Sequence, residues 1–210
     1  MRNRLLTAAR VGFAALAVVA ILVQLLDLAD RGILNPVNFF SYFTIQSNLI
    51  SVAALLLAAA TAREPRSERV ELFRGAATTY LVVTFVVFAL LLADTDVDTA
   101  IVWVDRVLHR VMPIVLVADW LIDPPSIRIE PRRALWWLAY PLAWVAYTLV
   151  RGALADWYPY PFLDPANGGY GVVAGYSVAI AVGTLVVIQL VTTVGNGIRG
   201  RAAGATPRSC

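Results

Sequence analysis

Three residues could do acyl chemistry if the chain brings them to one place: Thr44, His109 and Asp105. A hydroxyl beside an imidazole can lose its proton to the ring and attack a carbonyl carbon. A carboxylate on the other ring nitrogen holds the imidazole in the tautomer that this needs. His109 is the only histidine in the chain, and Asp105 precedes it by four positions, on the same face of a helix. Arg106 and Arg110 form a second pair at that spacing, and Asp119 follows further on. Charged groups within an apolar segment are costly to bury and commonly functional. The plainer alternative for a lone histidine is a packing residue whose ring nitrogens are satisfied.

Thr44 belongs to a polar stripe. Ser41, Thr44, Asn48 and Ser51 are spaced i, i+3, i+7 and i+10, so on a continuous helix they share one face. Such a stripe either glues helices together or lines a site. Gln24, Thr78, Thr79, Thr84, Thr148, Tyr176, Ser177 and Gln189 are expected to satisfy one another, and Tyr140, Trp144 and Tyr147 to pack within a bundle.

The elements that must position these groups follow from composition. Of 210 residues, 60% are apolar and 15% charged, against roughly 45–50% and 25% in soluble domains. A soluble enzyme, a disordered chain and a nucleic-acid binder are therefore poor fits. All 17 basic residues are arginine, in short clusters between apolar runs. Six such runs, at residues 11–29, 39–61, 72–93, 102–122, 134–151 and 172–194, each approach the ~17–25 residues that cross a bilayer. Alternation of period two is absent, which argues against a barrel. The expected fold is all-α: a polytopic six-transmembrane-helix bundle, one domain over residues 1–210. The first run is expected to stay as a helix, because Asp27, Asp30 and Arg31 follow it instead of a cleavage site.

Thirteen of the arginines fall on one side of such a bundle, including Arg2, Arg4 and Arg10, Arg63, Arg66, Arg69 and Arg74, and Arg128, Arg132 and Arg133; four fall on the other. The positive-inside bias then puts both termini in the cytoplasm. Asp94, Asp96, Asp98, Asp156 and Asp164 go outside. The external connection 156–171, with Trp157, Tyr158, Tyr160 and three prolines, reads as an interfacial aromatic belt or as a lid over an external site. Thr44 lies five residues into the second run and His109 seven into the fourth. At about 1.5 Å per residue both sit about 7–10 Å below the external surface. Cys210 is the single cysteine, so no intrachain disulfide forms.

The stretch Phe39-Phe-Ser-Tyr-Phe-Thr44-Ile-Gln-Ser-Asn48-Leu, taken with Leu108-His109-Arg-Val-Met-Pro113 and Asp119-Trp120, resembles prokaryotic six-span membrane proteins. These are related to the androgen-induced-gene and FAR-17a family, and the resemblance covers nearly the whole chain. It implies a prokaryotic plasma (inner) membrane location. It also implies hydrolysis of fatty acid esters of hydroxy fatty acids, as in animal members, with an intramembrane threonine nucleophile and a histidine partner. Thr44 and His109 match those positions; Ser41 and Ser47 are rivals for the first.

The reaction expected is attack by Thr44 on a lipid ester entering from the outer leaflet, with His109 as base and Asp105 fixing its tautomer. Asn48 or Arg110 would steady the oxyanion. Membrane lipids and an apolar ester substrate are the expected partners, with no nucleic acid and no cofactor. One histidine with scattered carboxylates is a thin metal-ligand set. Two other classes compete. A small ion-coupled transporter would use Asp105, Arg106, His109, Arg110 and Asp119 as a relay, and a non-catalytic scaffold would use the polar groups only to hold helices together.

Overall fold

The computed structural model describes residues 2–62, 66–92 and 101–204. Arg63, the acidic residues Asp94, Asp96 and Asp98, and Arg208 and Cys210 lie outside the described residues. Among those described, every regular element is helical: α1 (Arg2–Asp30), α2 (Pro36–Ser41), α3 (Phe43–Ala60), α4 (Glu68–Val87), α5 (Val102–Arg106), α6 (Met112–Ile122), α7 (Pro131–Ala134), α8 (Ala139–Ala155) and α9 (Gly169–Gly204). A π turn, Phe88–Leu92, ends α4, and another, Val107–Val111, joins α5 to α6.

Five helices are long and apolar enough to cross a membrane: Asn3–Asp30, Phe43–Ala60, Glu68–Leu92, Pro131–Ala155 and Gly169–Arg201. They fit an integral membrane protein. Their outward faces carry large apolar side chains, such as Leu26, Leu154, Val178, Val182 and Leu190, that water would leave unfavourably exposed. The run 102–122 is helical throughout but is not among the five. It is divided into three pieces and carries Asp105, Arg106, Arg110 and Asp119.

Two apolar cores meet beside Thr44. In the first, alanines of α1 (Ala14, Ala17, Ala20) sit in the same cluster as Ala54 and Leu55 of α3, with Leu108 and Met112 closing it. Small residues allow such close helix approach. The second gathers Phe43, Tyr80, Trp120, Trp137, Tyr160 and Leu163 with Val173 and Ile188 of α9.

The run 39–61 is not one helix. Asn35 caps α2 by accepting the Asn38 N–H at 3.1 Å, with Pro36 in the first turn. The helix then stops at Tyr42, whose backbone is extended (φ −65°, ψ 129°), and α3 restarts at Phe43. Side chains take the carbonyls that the break frees. Gln46 Nε2 donates to Phe40 O at 2.7 Å and Trp144 Nε1 to Ser41 O at 2.9 Å. Helical spacing therefore does not carry Ser41 onto the face of Thr44.

Pro113 explains the π turn around His109. It has no N–H for the His109 carbonyl, the partner an unbroken α-helix would supply, so the ladder widens just before it. Asn48 Nδ2 reaches the Leu108 carbonyl at 3.2 Å and ties this turn to α3.

At the arginine-rich end, three arginines and three carboxylates close on one another. Arg10 meets Asp119 at 2.6 Å and Asp123 at 2.5 Å. Arg74 meets Glu71 at 2.7 Å and Asp119 at 2.8 Å. Arg66 meets Glu71 at 2.9 Å and Asp123 at 2.7 Å. Ser126 adds its N–H and its hydroxyl to Glu71. The start of α1, the start of α4 and the end of α6 thus share one end of the bundle. Burial alone would raise the Asp123 carboxyl, but hydrogen bonds from Arg66 and Arg10 hold it below the ordinary range.

Candidate functional site

The break at Tyr42 puts Thr44 in the first turn of α3, where backbone N–H groups have no partner within the helix. The π turn turns His109 toward it. Thr44 Oγ1 lies 3.1 Å from His109 Nε2, and Asp105 Oδ1 lies 2.8 Å from His109 Nδ1. The carboxylate can only accept, so Nδ1 carries the ring proton. Nε2 is then left to accept the Thr44 hydroxyl. Three residues from α3, α5 and the π turn form a hydroxyl–imidazole–carboxylate relay. Phe88 stacks on the imidazole with ring centres 4.2 Å apart, so the π turn that ends α4 fixes the ring plane.

Thr44 is buried at 7% exposure, whereas the His109 and Asp105 side chains stay 17% and 26% exposed. Thr44 and His109 both line one cavity. Its walls are Val83, Val87 and Phe88 from the end of α4, Leu142 and Val145 from α8, and Ile180 from α9. They are almost wholly apolar, which suits a hydrocarbon chain with its one polar bond at the relay.

The other residues singled out in the sequence fall in different places. Ser47 donates to the Thr44 carbonyl at 3.2 Å and pairs with Thr84 at 3.1 Å. Ser41 donates to Val37 O and meets Tyr147 OH at 2.9 Å. Of the three hydroxyls, the one in hydrogen-bond contact with the imidazole is that of Thr44. Asn48 is fully buried, and its Nδ2 donates to the Thr44 and Leu108 carbonyls at 2.8 and 3.2 Å. Its amide protons hold the backbone of the relay together and do not face the cavity. Arg110 is exposed and lies 5.7 Å over the Phe88 ring, outside the cavity lining. Asp119 belongs to the ion cluster at the far end, and the residues between it and Arg110 are all apolar. Among the described residues, no cluster of histidine, cysteine and carboxylates has a metal-binding arrangement.

The connection 156–171 supplies a residue that the relay's sequence signals do not point to. Its Tyr160 and Leu163 are buried, and Tyr160, Phe162 and Leu163 line the cavity. This stretch packs over the site. Gly152 makes room for it: a Cβ there would stand 2.0 Å from the Tyr158 ring. Tyr160 OH accepts the Thr44 N–H at 3.3 Å and lies 3.3 Å from Thr44 Oγ1. Burial pushes this phenol up to about 12, so it stays protonated. The available signal was the run Trp157-Tyr158-Pro159-Tyr160-Pro161-Phe162, whose prolines stiffen a loop too apolar for open solvent.

No family model, curated protein or solved structure matches this chain.

Proposed function

We propose that the protein is an intramembrane hydrolase of lipid esters, with Thr44 as nucleophile and His109 as general base. One observation carries the reading: the Thr44 hydroxyl, the His109 imidazole and the Asp105 carboxylate stand in line at 3.1 and 2.8 Å, at the wall of an apolar cavity. Thr44 Oγ attacks the ester carbonyl carbon as its proton passes to His109 Nε2. The imidazolium, steadied by Asp105, returns that proton to the departing alkoxide, which leaves as an alcohol. Water then attacks the acyl-threonine, again with His109 as base, and the fatty acid and free hydroxyl are restored.

The bundle in this reading has six spans, the run 102–122 being the sixth. One face of that run packs on α1, α3 and α4, where Asp119 is buried among arginines and Asp105 is paired with His109. Its orientation has both termini in the cytoplasm of a prokaryotic cell and the relay beneath the external surface. The reading agrees with the resemblance to the androgen-induced-gene and FAR-17a family, whose animal members cleave fatty acid esters of hydroxy fatty acids.

The test is hydrolysis of such an ester by the purified protein in lipid nanodiscs, alongside Thr44→Ala and His109→Ala. The parent should release fatty acid and label with a fluorophosphonate probe, and both variants should do neither. Equal hydrolysis by all three would overturn the reading.

A further inference from the structure

We infer that Tyr160 supplies the oxyanion donor of this site, which makes it a third catalytic side chain beside Thr44 and His109. The inference rests on the hydrolase reading and adds to it a residue from the external connection.

A tetrahedral intermediate needs a hydrogen-bond donor where the carbonyl oxygen becomes negative. The polar groups along the described cavity lining leave few choices. The Thr84 hydroxyl donates to Tyr80 O at 2.9 Å, Ser177 to Val173 O at 2.8 Å and Thr184 to Ile180 O at 2.7 Å. Each of these protons is committed to its own helix. The Asn48 amide is committed to two carbonyls, and Arg110 lies outside the lining. The Thr44 proton goes to His109. Tyr160 differs: its oxygen accepts the Thr44 N–H and lies 3.3 Å from Thr44 Oγ1, so with the Thr44 proton on the imidazole side the phenol proton is the one left for that contact. The donors therefore run in one direction, from Thr44 N–H to the phenol, to Oγ1 and on to the imidazole.

Attack converts an Oγ1 lone pair into the new C–O bond. The Tyr160 O–H loses its acceptor at that moment, and the fresh oxyanion forms on the adjacent carbon. The phenol moves its hydrogen bond to that oxygen without giving up its proton, while the Thr44 N–H continues to hold the phenol oxygen in place. The ring is held for this by stacking on Phe162 (5.3 Å between centres, 5° between planes) and by edge contact with Tyr42 at 5.7 Å.

Tyr160→Phe keeps those ring contacts and removes only the hydroxyl. Its kcat on the lipid ester should fall about 10²–10³-fold, the usual effect of losing one such donor, with KM within about threefold. Inhibition by a long-chain alkylboronic acid, whose adduct on Thr44 mimics the intermediate, should weaken by a similar factor. A residue that only packs would move KM or stability and leave that ratio alone. As a second variant, a trifluorinated tyrosine at position 160 keeps the shape but makes the phenol more acidic. It should bring an alkaline loss of activity into the measurable range, below that of the parent. Tyr42, Tyr140 and His109, the titratable groups facing this phenol, are the same in both proteins. If Thr44→Ala and His109→Ala are inactive while Tyr160→Phe keeps its kcat, or the fluorinated protein keeps the parent's alkaline profile, the Tyr160 assignment is wrong and the relay stands. If the Thr44 and His109 variants retain full activity, the hydrolase reading itself falls, and the donor assignment with it.

Discussion

The two ends of the bundle use the same kinds of side chain for opposite purposes. At the arginine-rich end, Arg10, Arg66 and Arg74 face Glu71, Asp119 and Asp123, charge matches charge, and a serine completes the set. At the other end, Thr44 and His109 open on a cavity. Buried charges in a membrane protein therefore do not by themselves mark a site. What separates the two ends is whether the network closes on itself. A closed one ties α1, α4 and α6 together; an open one leaves a nucleophile with room in front of it. The charges on the segment 102–122 could be taken as one continuous relay, but its two halves belong to different networks.

Thr44→Ala gives the widest separation between the ends. Losing the nucleophile should lower kcat by about 10⁴–10⁶-fold, while thermal stability in detergent changes little. A variant that loses stability but keeps turnover would make the relay a structural network like the other. Asp105→Asn comes next. It preserves shape but can no longer hold the imidazole in the productive tautomer, so a loss of about 10³–10⁴-fold in kcat is expected, with fluorophosphonate labelling slowed in proportion.

The fold was legible in the sequence where apolar length decides it, and less so where backbone detail does. The apolar runs became helices because a long apolar segment has few other ways to satisfy its backbone. The pairing of His109 with Asp105 was legible because the two share a helical turn; that Thr44 meets them is a contact between separate helices, which matched depth suggests and spacing cannot fix. The break at Tyr42 was not: no proline or glycine marks it, and of the side chains that stabilise it, Gln46 is near in sequence but Trp144 comes from α8. That break removes Ser41 from the stripe and frees the Thr44 N–H. Pro113 marks the π turn only once the widening is seen. Arg10, Arg66 and Arg74 group by counting at one end of the bundle, yet their partners Asp119 and Asp123 lie far off in sequence. Tyr160 belongs to a loop with two readings, and its contact with Thr44, 116 positions away, is one that no local spacing reveals.

A single break in the closed network should cost stability rather than chemistry. Arg74→Met leaves Glu71 and Asp119 buried with one cation fewer, which should destabilise the protein by about 3–5 kcal/mol, measured by thermal or denaturant unfolding in detergent. Turnover per folded molecule should hold. Replacing Arg74, Glu71 and Asp119 together by apolar residues should recover much of that loss, because no charge is then stranded. A triple variant less stable than the single one would show that the cluster is more than compensated burial.

The smallest effect is the acid response of Asp123. Its carboxyl is held below the ordinary value by Arg66, Arg10 and Arg74 despite partial burial. A depressed folded-state value stabilises the fold above the unfolded pKa of ~3.9. That contribution fades as pH falls through the folded value, when the proton returns and the arginines lose a partner. The parent should therefore lose thermal stability more steeply below about pH 4 than Asp123→Asn, and the variant should be the less stable of the two at pH 7. The difference should be modest, because this side chain is 28% exposed and solvent screens its ion pairs. Identical acid profiles would mean that Asp123 contributes its backbone carbonyl to Arg74, at 2.9 Å, and little charge. The closed network would then rest on Glu71 and Asp119 alone.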